Sequence, residues 1–107
     1  MSAITTHVLD TSRGRPASGI AVTLEFESQG RWSTAGSGTT DADGRVRDLL
    51  PANANINRGK YRITFTTAAY SNFYPSVEVS FVIEDPSQHY HIPLLLSPFG
   101  YSTYRGS

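Results

Sequence analysis

An alternation of apolar and polar side chains, with a period of two residues, is the feature that most restricts how this chain can fold. It runs through Gly19–Glu27, Lys60–Thr67 and Val77–Ile83. The apolar side of the first segment consists of Ile20, Val22, Leu24 and Phe26. Because successive side chains of a β-strand point to opposite faces, the pattern is typical of antiparallel strands with one face in a core.

Turn-forming residues separate the alternating segments. Ser28–Arg31 leads into a strand that begins near Trp32. Asp41–Gly44 precedes a short strand that we predict at Arg45–Leu49. Thr67–Phe73 lacks the alternation, and we predict a short helix there. The sequence therefore indicates an all-β, antiparallel β-sandwich of seven to eight strands with one short helix, and its 107 residues suit a single domain over residues 1–107.

The composition argues against several classes of function. Nine basic and nine acidic residues cancel, so the chain has no net field to attract nucleic acid or an anionic membrane surface. No apolar run approaches the roughly 20 residues needed to span a bilayer, and the first residues do not resemble a secretory signal. The lack of cysteine excludes disulfides, thiolate nucleophiles and cysteine-ligated zinc. We therefore expect a cytoplasmic protein with no nucleic-acid or membrane partner.

Two strand-like segments carry apolar residues on both faces. In His89–Leu96 the inward face is made of Tyr90, Ile92, Leu94 and Leu96, and the opposite face of His89, His91, Pro93 and Leu95. Near the N-terminus Ile4, Thr6 and Val8 are expected to face the core, with Thr5, His7 and Leu9 outside. A solvent-facing strand rarely exposes such residues, so we predict that this second face lines a pocket or is covered by another subunit.

The three histidines of the chain all fall on these second faces. Histidine is the side chain best suited to proton transfer near neutral pH. Two alternatives remain open, because surface histidines are common and because His7, His89 and His91 together are able to form a three-histidine zinc site. The sequence has no Gly-x-Ser-x-Gly motif and no cysteine, so it offers no recognisable nucleophile for covalent acyl transfer. Arg45 is either a solvated turn residue or a group that holds an anionic or oxyanion-bearing ligand.

Two stretches carry a resemblance to a known family. Residues 7–22 read HVLDTSRGRPASGIAV and residues 89–107 read HYHIPLLLSPFGYSTYRGS. They resemble the two hallmark segments of the transthyretin family, and the strand spacing between them also fits, so the resemblance covers essentially the whole chain. The family's hormone carriers have lysine in place of His7, threonine in place of His91 and an acidic residue in place of Arg45. They also lack the closing Tyr104-Arg105-Gly106-Ser107, so this sequence resembles the family's hydrolases at each place.

The resemblance implies a function and an assembly. The implied reaction is the hydrolysis of 5-hydroxyisourate, the unstable product of urate oxidation, without metal or cofactor. The implied catalytic residues are His7, Arg45, His91 and Ser107, and the implied substrate-binding residues are His7, Arg45, Tyr104 and Ser107. The implied assembly is a homotetramer, a dimer of dimers with active sites where the dimers meet. A non-catalytic small-molecule carrier and a structural β-sandwich module are the alternative functions.

Overall fold

Nine β-strands make up the protein in the computed structural model, which describes residues 2–106. The strands are β1 (Ile4–Asp10), β2 (Arg15–Pro16), β3 (Ala21–Ser28), β4 (Arg31–Thr39), β5 (Arg45–Val46), β6 (Gly59–Thr66), β7 (Ser76–Ile83), β8 (Tyr90–Ser97) and β9 (Gly100–Thr103). They form two sheets that pack face to face, which confirms the predicted β-sandwich. Over the described residues, no helix has the length and hydrophobicity needed to cross a membrane.

The two sheets differ in how their strands pair. The first sheet has the order β2-β1-β8-β9, and β5 also pairs with β1. The second sheet has the order β4-β3-β6-β7 and is antiparallel throughout. In the first sheet, β1 and β8 run parallel, which is an exception to the antiparallel pairing expected from the sequence. A parallel pair needs a long crossover connection, and here most of the chain lies between the two strands.

The core between the sheets follows the alternation seen in the sequence. On β1, Ile4 and Val8 are fully buried. On β8, the predicted inward residues are buried, namely Tyr90, Ile92, Leu94 and Leu96. Burying one such aliphatic side chain contributes about 1.5–3 kcal/mol, so the inward positions hold the two sheets together. The outward positions of the same strands do not belong to this core.

The short helix predicted at Thr67–Phe73 is wrong, because within residues 2–106 this stretch forms only one turn. The carbonyl of Thr67 accepts hydrogen bonds from the amides of Tyr70 and Ser71, at 2.9 and 3.0 Å. The amide of Thr67 donates to the carbonyl of Pro75 at 2.9 Å, and its hydroxyl donates to the carbonyl of Tyr74. These bonds close the segment into a loop between β6 and β7 before a second helical turn can form.

The strand predicted at Arg45–Leu49 is shorter than expected, since β5 contains only Arg45 and Val46. Beyond it the chain bends inward, and Leu49 and Leu50 are buried in the core. The amide of Leu50 donates to the hydroxyl of Ser2 at 3.1 Å, which replaces the ladder hydrogen bond of a longer strand.

Candidate active site

The outer face of the first sheet brings together two neighbouring rows of polar residues. In one row, His7 on β1 lies opposite Arg45 on β5. In the other row, Thr5 on β1 lies opposite His91 on β8. Positions two apart on a strand share a face and are separated by about 6.5 Å, so the two rows are adjacent. The structure therefore brings three of the predicted site residues, His7, Arg45 and His91, into one cluster.

An open groove of about 780 Å³ runs along this cluster. Its walls include His89, His91, Thr5 and residues 45–48 at β5 and the chain that follows. This volume is in the usual range for small-molecule sites. The second face of β1 and β8 was predicted to line a pocket or to meet another subunit, and at this end of the strands it lines a pocket.

A tight turn at residues 41–44 places Arg45 beside β1. The Asp41 carboxylate accepts hydrogen bonds from the amides of Asp43 and Arg45, at 2.9 and 3.0 Å. These bonds, together with the nearby arginine charges, lower the pKa of Asp41. Gly44 has a φ of 75°, and an added Cβ would collide with the carbonyl of Val8 on β1. The turn therefore packs directly against β1 because position 44 lacks a side chain.

His7 is held by the main chain of this turn. Its Nε2 lies 2.8 Å from the carbonyl oxygen of Asp43. A carbonyl oxygen only accepts hydrogen bonds, so Nε2 carries the hydrogen and, in the neutral ring, Nδ1 carries the lone pair. Partial burial and the positive charge of Arg45 lower the pKa of His7, against an opposing effect of the Asp43 carbonyl. His7 is therefore a neutral imidazole near pH 7, with Nδ1 available as a base.

His91 is held by Thr5, which also contacts the third histidine. The hydroxyl oxygen of Thr5 lies 2.8 Å from His91 Nδ1 and 2.9 Å from His89 Nε2. Burial lowers the pKa of His91, followed by the positive charge of Arg45 and the proximity of His7 and His89, while a hydrogen bond to the main chain of Thr5 acts in the opposite direction. His91 is therefore also neutral near pH 7.

Arg45 differs from the neighbouring Arg47 in its partners. Arg47 contacts the carboxylates of Asp41 and Asp43, at 3.8 and 3.5 Å. Among residues 2–106, no carboxylate lies within ion-pair distance of the Arg45 guanidinium. Its positive charge therefore faces the groove and lowers the pKa of His7 and His91. An anionic or oxyanion-bearing ligand would be stabilised there.

The three-histidine zinc site does not form in the described part of the chain. No three histidine, aspartate or glutamate side chains there converge in a way that would hold a metal ion. One ring nitrogen of each histidine is already engaged, that of His7 with a carbonyl and those of His89 and His91 with Thr5. Each imidazole keeps a second ring nitrogen that is able to give or accept a hydrogen.

Of the two remaining predicted site residues, the structure describes only Tyr104. Tyr104 is exposed and lines a second, smaller groove with Phe81 and Tyr90, so a single chain does not bring it to His7 and Arg45. Ser107 lies outside the described residues, and its roles stay predictions. Its neighbour Gly106 is at the site, because its amide donates to the carbonyl of His91 at 2.8 Å.

Sequence reasoning missed two groups that hold the histidines. The Asp43 carbonyl belongs to the backbone and leaves no trace in residue identity. Thr5 was recognised as an outward residue two positions before His7, but its contact with both His89 and His91 depends on the parallel pairing of β1 and β8. The spacing of Thr5 and His7 indicated that the two side chains share a face, but it did not identify a partner on another strand.

Comparison with known sequences links this chain to one family. The sequence model of the HIUase/Transthyretin family matches residues 4–106. A 5-hydroxyisourate hydrolase of Mus musculus is 44% identical over 115 residues, which cover 99% of this chain and 96% of the mouse protein. The uric acid degradation bifunctional protein TTL of Arabidopsis thaliana is 46% identical over 97% of this chain, and the match spans only 37% of that longer protein.

Solved structures of the same family share the fold. The 5-hydroxyisourate hydrolase of Klebsiella pneumoniae superposes with a TM-score of 0.82 at 36% identity, covering 97% of this chain and 98% of that one. Sea bream transthyretin in complex with thyroxine superposes with a TM-score of 0.89 at 31% identity, covering 98% and 95%. The fold is thus common to hydrolase and carrier, and the family match extends over nearly every residue. This chain belongs to the HIUase/Transthyretin family.

Proposed function

We propose that this chain hydrolyses 5-hydroxyisourate to 2-oxo-4-hydroxy-4-carboxy-5-ureidoimidazoline, a step of urate breakdown. The observation that carries the proposal is the pair of adjacent rows, His7 with Arg45 and Thr5 with His91, beside a groove whose wall contains Arg45, Thr5 and His91. Relatives named as 5-hydroxyisourate hydrolases, 38–44% identical to this chain, support the same activity. The protein is an enzyme of the hydrolase class that acts on a small molecule.

His7 is the general base in this proposal. Its Nε2–H is fixed on the Asp43 carbonyl, so the lone pair at Nδ1 is the one that takes a proton from water. The hydroxide then forms a bond to a ring carbonyl carbon of the substrate. Because the pKa of His7 is lowered, the base is unprotonated at neutral pH. A positioned base of this kind contributes about 10²–10⁴-fold to the rate.

Arg45 and His91 complete the proposed reaction. The guanidinium of Arg45 stabilises the oxyanion that forms when hydroxide adds to the carbonyl. The ring C–N bond then breaks, its electron pair goes to nitrogen, and His7 delivers there the proton that it took from water, which restores its neutral ring, while the neutral ring of His91 donates a hydrogen bond to the reacting atoms. Water thereby supplies the oxygen of the new carboxyl group and the hydrogen on the departing nitrogen. Ser107, which lies outside the described residues, is proposed to assist this protonation, and Tyr104 to bind substrate from a neighbouring subunit.

A homotetramer, built as a dimer of dimers, is part of the same proposal. Its support is the apolar surface next to the site, where Leu9 and Leu95 lie opposite each other and are only half-buried by their own chain. A formal net charge of zero does not oppose such association. Closing a second subunit over the groove would exclude water and strengthen the electrostatic interaction of Arg45 with the substrate. A cytoplasmic location is likewise proposed, and the cysteine-free composition supports it.

The direct test is the decay of freshly generated 5-hydroxyisourate, followed by ultraviolet absorbance with and without the protein. We expect faster decay with a rate proportional to protein concentration. A decay rate equal to that of the buffer control would contradict the hydrolase. Thyroxine binding by calorimetry tests the alternative carrier function, for which a similarity in fold to the sea bream transthyretin–thyroxine complex is the only support.

A further inference from the structure

The contact between Thr5 and two histidines has a consequence for the proton positions in the site. The Thr5 hydroxyl lies within hydrogen-bond distance of His91 Nδ1 and His89 Nε2, and Thr5 is only 7% exposed. A hydroxyl group carries a single hydrogen. Among residues 2–106 the Thr5 oxygen has no third hydrogen-bond partner, so its hydrogen goes to one of the two rings and it accepts a hydrogen from the other, which couples the tautomers of the two rings.

Only two arrangements satisfy this coupling. In the first, His89 Nε2–H donates to Thr5, and Thr5 donates to His91 Nδ1, so His91 carries its hydrogen on Nε2. In the second, His91 Nδ1–H donates to Thr5, and Thr5 donates to His89 Nε2. The two arrangements give Nε2 of His91 opposite roles. It donates a hydrogen bond in the first arrangement and accepts one in the second.

The partner of His7 favours the first arrangement. His7 is fixed as a base at Nδ1 because its Nε2–H bonds the Asp43 carbonyl. Hydrolysis of a C–N bond is assisted by one group that takes a proton from water and another that donates a hydrogen bond to the charge developing on the substrate. His91 Nε2 is the ring nitrogen of His91 that Thr5 does not engage, and His91 lines the groove. A hydrogen on His91 Nε2 makes the two histidines complementary.

We infer that Thr5 and His89 are positioning residues that hold His91 as its Nε2–H tautomer, with hydrogen bonds running from His89 through Thr5 to His91. This assignment rests on the proposed hydrolase for its role in catalysis. The tautomer itself is a property of the free protein. His89 is exposed at its outer end, so solvent reaches the start of this chain of hydrogen bonds.

The first experiment measures the tautomers without substrate. Nitrogen-15 NMR of the three histidine side chains, at a pH where all are neutral, should show His91 protonated at Nε2 and unprotonated at Nδ1. His89 should be protonated at Nε2. Removal of the hydroxyl in Thr5→Val should abolish the uniform tautomer of His91, whereas Thr5→Ser should keep it. A hydrogen on His91 Nδ1 in the unaltered protein would overturn the inference even if the enzyme is active.

The second experiment measures kcat and KM on 5-hydroxyisourate for the same variants. Thr5→Val should lower kcat by about 10- to 100-fold with little change in KM, because the Nε2–H of His91 is no longer held in place while the shape of the groove is unchanged. Thr5→Ser should stay within about threefold of the unaltered enzyme because it retains the hydroxyl. His89→Phe should also lower kcat, by about 10-fold, because Thr5 loses the donor that fixes its hydrogen.

A matched control separates this effect from a general loss of a strand threonine. Thr64 is a half-buried threonine on the outer face of β6 in the second sheet, and Thr64→Val should leave both kcat and the His91 tautomer unchanged. Normal kcat in both Thr5→Val and His89→Phe, with an active unaltered enzyme, would overturn the positioning role. An inactive unaltered enzyme with the expected tautomer would instead contradict only the proposed function.

Discussion

Each sheet carries an arginine on its outer face, and the two arginines have different surroundings. Arg62 on the second sheet bonds the Glu25 carboxylate at 2.8 Å, and its guanidinium lies 4.2 Å from the centre of the Trp32 ring. Arg45 on the first sheet has no carboxylate within ion-pair distance among residues 2–106, and it lies opposite His7. The paired arginine stabilises local packing, whereas the charge of Arg45 lowers the pKa of two histidines.

The comparison teaches that the candidate site lies where Arg45 has no carboxylate partner among residues 2–106, although other polar groups of that face bond one another. Both outer faces contain charged and hydroxyl residues, so composition does not distinguish them. The difference lies in the partners, since the second sheet pairs its arginine with a carboxylate across neighbouring strands. The following predictions are designed to test that difference.

The largest effect is expected for the histidines of the first sheet. His7→Asn and His91→Asn should each lower kcat/KM by about 10²-fold or more, because the first removes the base and the second removes a hydrogen-bond donor to the reacting atoms. Their melting temperatures should stay close to that of the unaltered protein, since both side chains face outward. The assay is the absorbance decay of 5-hydroxyisourate, and full activity in either variant would remove that histidine from the mechanism.

Replacement of Arg45 should have the next largest effect. Arg45→Lys should be nearly as harmful as Arg45→Ala, with about a 10²-fold loss in kcat, because an ammonium does not reproduce the planar fork of a guanidinium. Arg62→Lys is the matched control on the second sheet and should leave kcat unchanged. Near-normal rates in Arg45→Lys would mean that Arg45 contributes only charge.

A charge on the apolar part of the first sheet's outer face should disrupt assembly and activity together. Leu95→Glu places like charges near the proposed symmetry axis, a juxtaposition that costs several kcal/mol. We expect smaller species by light scattering and a loss of turnover of about 10-fold or more, because the groove would lose its cover. Thr23→Glu adds the same charge to the second sheet and should change neither property. A fully active monomer in the Leu95→Glu variant would refute the shared site.

A smaller effect is expected in the titration of the histidines. Arg45→Ala should raise the pKa of both His7 and His91, because the positive charge of Arg45 opposes protonation of each ring. Proton NMR titration measures this change, and Arg62→Ala should leave both values where they are. In the unaltered enzyme, the lowered pKa of His7 should place the acid limb of kcat/KM below pH 6.5, the ordinary histidine value. An acid limb above that value would exclude His7 as the base.

No effect is expected from chelation. Dialysis against a strong chelator should leave turnover unchanged, because the histidines are assigned to proton transfer. Activity that is lost on chelation and regained with zinc would restore the three-histidine metal site as the better interpretation.

Local patterns in the sequence predicted the orientation of side chains but not which strands meet. The alternation assigned Ile4 and Val8 to the core, and the structure buries both. The parallel pairing of β1 with β8 was not predictable in this way, because it joins distant segments and leaves no local signature. The contact of Thr5 with His91 follows from that pairing and was missed for the same reason. The turn at residues 67–74 was misread because its hydrogen bonds involve Pro75 and Tyr74 further along the chain.

The carbonyl that holds His7 has a consequence for how this protein tolerates mutation. Every amino acid supplies the same main-chain oxygen at position 43, so the orientation of His7 does not require aspartate there. Gly44 has no side chain with which to bond His7, yet any side chain at position 44 would push the turn away from β1 and take that oxygen with it. The orientation of His7 therefore tolerates substitution at position 43 over evolutionary time, whereas position 44 is constrained. A saturation library at both positions would find activity retained at position 43, whose carbonyl contacts His7, and lost at position 44.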